Sequence, residues 1–148
     1  MIIQSAIRDV KQGYGVKIVS PCNLYECFLG DNVFVGPFCE IQRGVIIGQN
    51  TRVQSHTFIC ELVEIGSNCF IGHSVVFIND TFADGAPARG DSSKWKPTIV
   101  GNNVSIGSNA TILPVKICDN VVIGAGSVVS ADIDMPGTYF GNPARKKT

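Results

Sequence analysis

The chain carries no excess of either charge: twelve basic and twelve acidic side chains cancel over 148 residues. That removes the broad basic footprint of a nucleic-acid binder, so an anionic partner must be held by local groups. No stretch approaches the roughly 18 apolar residues of a membrane span, and Met1-Ile2-Ile3-Gln4-Ser5 lacks the basic start and long apolar run of an export signal. A cytoplasmic protein is expected. Only two histidines are present, too few for a three-histidine metal centre. The six cysteines form no C-x-x-C pair, which argues against zinc, so no metal is expected. Cys27, Cys39 and Cys69 read as small core residues. Charged residues make up only 16% and hydrophobic ones 45%, and the length suits one domain.

What the sequence does contain is a period of six. An aliphatic or aromatic residue returns at Leu29, Val35, Ile41, Ile47, Val53, Ile59, Ile65, Ile71 and Phe77, then at Val100, Ile106 and Ile112. The series slips by one residue through Pro114-Val115 and continues at Ile117, Ile123 and Val129. A fixed short period marks a solenoid. Glycine often follows the aliphatic residue, as at Gly30, Gly48, Gly72 and Gly107, where backbone must pass close to backbone. Four residues after each aliphatic comes a small or β-branched one, such as Val33, Cys39, Thr57, Thr81 or Ala110. Both sets are expected to point inward.

In eleven units the fourth position holds Asn32, Gly44, Asn50, His56, Asn68, Asp80, Asn103, Asn109, Asn120, Gly126 or Asp132. These residue types tolerate positive φ, so corners are expected there. Strand and corner, repeated three times, close one triangular turn in eighteen residues. Three turns fit between Leu29 and Phe82 and about two more after Val100. Residues 1–16 lack the period and are expected to cap the first turn. Residues 83–98 form an excursion that carries Trp95, the only tryptophan. A loop of that length in a repeat protein is usually functional. Residues 134–148 form a tail that ends basic.

The pattern resembles the hexapeptide-repeat acyltransferases over about 110 of the 148 residues. The resemblance implies an all-β fold, the left-handed parallel β-helix, assembled as a homotrimer with active sites in clefts between copies. It also implies acetyl-CoA as co-substrate, its pantetheine arm lying along corner backbone at Ser108 to Ala110 and Ala125 to Gly126. The Gly141-Asn142-Pro143-Ala144-Arg145 stretch is expected at the nucleotide end, where Arg145 suits the coenzyme phosphates. Lys146 and Lys147 read as solvated.

The segments Val53-Gln-Ser-His-Thr-Phe, Phe77-Ile-Asn-Asp and Val104-Ser-Ile-Gly-Ser-Asn-Ala are similar to the nucleotide-sugar N-acetyltransferases. That group acetylates 3-amino sugars carried on dTDP or UDP for surface polysaccharides, and its residue matching Asn79 contacts substrate or acetyl group. His56 and His73 depart from the uronate-processing branch, so a 3-amino-3,6-dideoxyhexose is the expected acceptor. The register places both histidines on one corner of adjacent turns, where either can act as general base. Direct attack by a neutral amine, with no side-chain base, stays open beside that. Glu61 and Asp80 are candidate acceptor-binding residues, and Trp95 either contacts substrate or anchors its loop. An O-acetyltransferase and a noncatalytic trimeric scaffold are the rival expectations.

Overall fold

Each inward aliphatic residue stands in a strand of two or three residues, and a corner follows before the strand can lengthen. In Phe34–Val35, Arg52–Val53 and Phe70–Ile71 the second residue is buried and the first faces outward. The computed structural model, which describes residues 1–148, winds these strands into a parallel β-solenoid of about seven turns. It is consistent with the left-handed β-helix that the resemblance implies. No helix is long and apolar enough to cross a membrane.

Strands three apart in sequence order pair in parallel, which gives three sheets. The first runs from Ile7–Arg8 to Val128–Val129 and has seven strands. The second, of six, runs from Lys11–Gln12 to Lys116–Ile117, and the third, of eight, from Lys17–Ile18 to Arg145–Lys146. Only the last strand is antiparallel, folding back on Gly137–Phe140 at the C-terminal end. Leu29 and Ile47 from the second sheet, Ile59 from the first, and Ile71, Ile106 and Ile123 from the third are almost wholly buried in one core with Val33, Val75 and Val104.

The glycines behind the aliphatic residues are there for space. A Cβ on Gly48, Gly72 or Gly107 would come within 2.4 to 2.7 Å of backbone in the next turn. Turns so close can hydrogen-bond; Gly72 N–H donates to the Ile106 carbonyl at 2.8 Å.

The three edges of the prism differ. Between second and third sheets, Asn32, Asn50, Asn68, Asn103 and Asn120 all have positive φ, and the side-chain amides of Asn32, Asn50 and Asn68 bond successively at 3.3 and 3.1 Å. Between third and first sheets the positive-φ residues are Phe38, His56, Ser74, Asn109 and Gly126. Between first and second sheets lie Glu26, Gly44 and Leu62, and from this edge the long loop leaves. Below, these are the asparagine, histidine and loop edges.

The structure departs from the sequence expectations in three places. The solenoid begins before Leu29, because Ile7–Arg8, Lys11–Gln12 and Lys17–Ile18 pair in register with the next turn. Thr81 is exposed, since the chain has already left the prism for the loop. Asp80 and Asp132 do not adopt the positive φ expected of a corner.

Candidate functional site

The loop edge holds a cavity of about 700 Å³ over the outer face of the first sheet. Phe58 and Val76 supply its floor, because a residue one place before a buried strand position must face outward. Phe82 and Trp95 reach it from the loop, and Tyr25 and Leu113 line it from other turns. Trp95 is partly buried, as an aromatic side chain docked on its own prism should be. Glu61, Asn79 and Asp80 also line the cavity, and no lysine or arginine does.

The polar groups there are fixed by a short network. Asn79 Nδ2 donates to the Glu61 carbonyl at 3.1 Å, which leaves its Oδ1 as an acceptor. Gln42 Oε1 accepts from the Glu61 N–H at 3.3 Å, while its Nε2 donates to Glu40 at 2.8 Å. The Glu61 carboxylate itself makes no ion pair. Tyr25 has its phenol pushed up by burial first, then by the Glu40 and Glu61 carboxylates, with Arg8, stacked 4.6 Å from its ring centroid, and Arg43 acting the other way. Cys60, beside Glu61, is buried and its thiol is pushed up to about 12 by desolvation, which leaves it un-ionised.

Asp80 works inside the loop. Its two carboxylate oxygens accept from Phe82 N–H at 3.0 Å and Ala88 N–H at 2.7 Å. The loop base is closed by Lys96 N–H on the Asn79 carbonyl at 2.9 Å. Asp91 caps the three-residue 3-10 helix Ser92–Lys94, and Lys94 pairs with Asp84 at 2.9 Å.

The histidines lie on the opposite border of the first sheet. His56 and His73 are both exposed, on the same corner of adjacent turns. His56 packs against Phe38 with ring centroids 5.0 Å apart. His73 Nδ1 is 3.0 Å from Ser55 Oγ. The same edge continues through Ser108 and Ala125, since Asn109 N–H donates to the His73 carbonyl at 2.9 Å and Gly126 N–H to the Ser108 carbonyl at 2.8 Å. The N–H groups of His73, Ser108 and Ala125 find no acceptor within the chain. Ala110 is fully buried and presents no side-chain surface to a ligand. Arg145 is exposed, and the turn before it is tied to this edge by Ala144 N–H on the Val128 carbonyl at 2.8 Å. No group of three or more His, Cys, Asp or Glu side chains is placed to hold a metal ion.

The candidate residues therefore fall into two sets. Glu61, Asn79, Asp80 and Trp95 share the cavity, while His56, His73, Ser108, Ala125, Gly126 and Arg145 share the histidine edge. Sequence reasoning passed over Tyr25, Gln42, Phe58, Phe82 and Leu113 in the cavity and Ser55 beside His73. Spacing held the signal for one of them, since Ser55 lies eighteen residues, one full turn, before His73.

Two family models match the chain: the hexapeptide repeat of succinyl-transferase over residues 97–131, and the bacterial transferase hexapeptide of six repeats over residues 26–61. With the solenoid described above, they show that both halves of this chain are built of hexapeptide repeats of the kind found in these transferases. It is 36% identical over 109 residues to the bifunctional protein GlmU of Clostridium botulinum, covering 73% of this chain and 21% of that protein. The chain thus spans about a fifth of that relative's length. Among solved structures, it resembles a maltose O-acetyltransferase from Clostridium difficile, with TM-score 0.63 and 26% identity over 91% of this chain and 66% of that one. It also resembles a mutant of AntD, an N-acyltransferase from Bacillus cereus in complex with dTDP and coenzyme A. There the TM-score is 0.79 and the identity 23%, over 95% of this chain and 84% of that one.

Proposed function

We propose that this chain is an acetyl-CoA-dependent N-acetyltransferase whose acceptor is the amine of a nucleotide-linked 3-amino-3,6-dideoxyhexose made for surface polysaccharide. The observation that carries the proposal is the lining of the loop-edge cavity: aromatic and aliphatic walls, one unpaired carboxylate at Glu61, one free acceptor at Asn79 Oδ1, and no cation. An ammonium about 4 Å from a carboxylate gains about 4 kcal/mol in a medium of intermediate polarity, and a diphosphate loses comparably. The cavity thus suits the amino-deoxy ring, whose methyl and ring faces are apolar, and leaves the diphosphate outside it. The AntD complex, with dTDP and coenzyme A on a similar solenoid, supports the same class of ligands.

The histidine edge is the proposed coenzyme strip, with the unpaired N–H groups of Ser108 and Ala125 facing the amide carbonyls of the pantetheine arm. Arg145 would meet its phosphates. One copy holds strip and cavity on opposite borders of its first sheet, so a homotrimer joins the strip of one copy to the cavity of the next. The bound ammonium first gives one proton to water; the neutral nitrogen then attacks the thioester carbonyl, the C–N bond forms, the C–S bond breaks, and the departing thiolate or His73 takes the second proton. The remaining Asn79 N–H or an edge N–H stabilises the oxyanion.

The test is release of free CoA from acetyl-CoA across a panel of nucleotide amino sugars, with their hydroxyl analogues alongside. Turnover of the amines is expected; Glu61 is only half-buried, so water screens much of that attraction, and Glu61→Gln should raise the KM of the amine about tenfold with little change in kcat. Turnover confined to the hydroxyl analogues would overturn the amine assignment.

A further inference from the structure

Ser55 has no part in the chemistry described so far, yet it makes the one side-chain hydrogen bond to a histidine ring. Its Oγ lies 3.0 Å from His73 Nδ1, within hydrogen-bonding distance. Backbone fixes the pair as well, because Ser74 N–H donates to the Ser55 carbonyl at 3.0 Å. We propose that Ser55 is the positioning residue of His73, holding the proton on Nδ1 and leaving the Nε2 lone pair free at the end of the coenzyme strip. The inference rests on the acyl-transfer proposal above, which gives His73 its task.

The chemistry follows from what a hydroxyl can do. A serine oxygen both accepts and donates, whereas a neutral imidazole donates from only one nitrogen. With Nδ1–H given to Ser55 Oγ, Nε2 is the basic nitrogen. When Nε2 takes the proton released as the C–N bond forms, Nδ1–H still donates to the same oxygen, so no partner has to move during transfer. His73 is exposed and its carbonyl accepts from Asn109, which places it one turn before Ser108. His56 has no such partner: it packs on Phe38 with the rings tilted by 34°, a contact that fixes the ring plane without choosing between its nitrogens. Of the two histidines, His73 alone has a side-chain hydrogen-bonding partner on a ring nitrogen.

Long-range proton–nitrogen correlation spectra of the 15N-labelled whole chain test this directly. The wild type is expected to show His73 protonated at Nδ1, and Ser55→Ala to move the proton largely to Nε2, the form favoured by an unrestrained imidazole. Ser55→Thr, which keeps the hydroxyl, should retain the wild-type pattern. In the CoA-release assay Ser55→Ala should lose about 3- to 10-fold in kcat, the worth of one hydrogen bond, with the KM for acetyl-CoA unchanged and Ser55→Thr near wild type. Identical His73 spectra in wild type and Ser55→Ala, or an unchanged kcat in an active Ser55→Ala enzyme, would overturn the proposal. Absence of CoA release by the wild type with every acceptor would count against acyl transfer instead, and the spectra would still decide whether Ser55 holds the ring.

Discussion

Replacing Gly107 by alanine should cost this protein more than replacing Gly44, although Gly44 is the glycine with positive φ. A Cβ on Gly107 would lie 2.4 Å from the Ala125 nitrogen and 2.8 Å from its Cα, both backbone atoms of the last turn. Ordinary contact begins at 3.4 Å, so that turn has to retreat by about an ångström. Two hydrogen bonds span the same gap, Gly107 N–H to the Ile123 carbonyl and Gly126 N–H to the Ser108 carbonyl, each at 2.8 Å. Stretched by an ångström they no longer count as bonds. Losing both, at about 1 kcal/mol each, adds to an overpacking cost of about 1–3 kcal/mol, for a total of about 3–5 kcal/mol. Gly44, at φ 75°, has nothing within 4 Å of its Cβ direction, so alanine there costs only the left-handed strain of about 1–2 kcal/mol. Equilibrium denaturation of both variants gives the comparison, and the KM for acetyl-CoA should rise only in Gly107→Ala, because Gly107 precedes Ser108. A Gly107→Ala protein as stable as Gly44→Ala would refute the close-approach account of the repeat glycines.

Removing the clasp of the loop with Asp80→Ala frees the Phe82 and Ala88 N–H groups. Limited proteolysis within residues 82–90 should then speed up about tenfold while the melting temperature of the prism hardly moves; an unchanged cleavage rate would show that the loop is held by other contacts. Buried thiols give a pH test. Desolvation pushes Cys27 and Cys39 up to about 11 and Cys60 to about 12, with Cys69 raised in the same direction. A folded value above the unfolded one means stability is intact below about pH 9 and is lost as pH climbs toward 11, by up to about 1.4 kcal/mol per pH unit for each thiol. A denaturation midpoint that stays flat from pH 9 to 11 would contradict this. At pH 8 a thiol reagent should reach partly exposed Cys118 well before the others.

The core was legible because its signal is strictly local and repeated. Every inward position from Leu29 to Phe77 is six residues from the next, and all nine are buried. The first turn was not legible, for two physical reasons. Only five residues separate Ile7 from Gln12 and Leu24 from Leu29, and the outward and end-exposed residues of residues 7–18 bury too little to show a pattern. The slip at Ile112 to Ile117 falls at the corresponding place, and so does the long loop. The step from Val129 to Ile133, only four residues, is a fifth irregularity, and all five lie on the loop edge, while the other two edges keep six residues throughout. Which candidates share a site was harder to read, since spacing places a residue on an edge but does not say what its side chain bonds. Asp80 illustrates this: its position beside Asn79 suggested a ligand contact, whereas its carboxylate is engaged by the loop backbone.

The contrast between edges also bears on where function lies. Most corners on all three carry a residue with positive φ, and asparagine meets that need cheaply while its amide bonds to the turn above. The asparagine edge uses it five times and so follows local preference throughout. At the same conformation the histidine edge places Phe38, His56 and Ser74, and the loop edge places Glu26 and Leu62. Each of these side chains bears a left-handed cost of about 1–2 kcal/mol that asparagine or glycine would lessen. Residue choice that runs against local backbone preference points to a demand on the side chain itself. Phe38 meets such a demand by packing on His56, and Ser74 carries the corner that holds His73 over Ser55. If the demand is only structural, Phe38→Asn should destabilise the chain and leave CoA release unchanged. If the edge is a working surface, the same change should gain stability and lose turnover, and that opposition of sign is the outcome expected here.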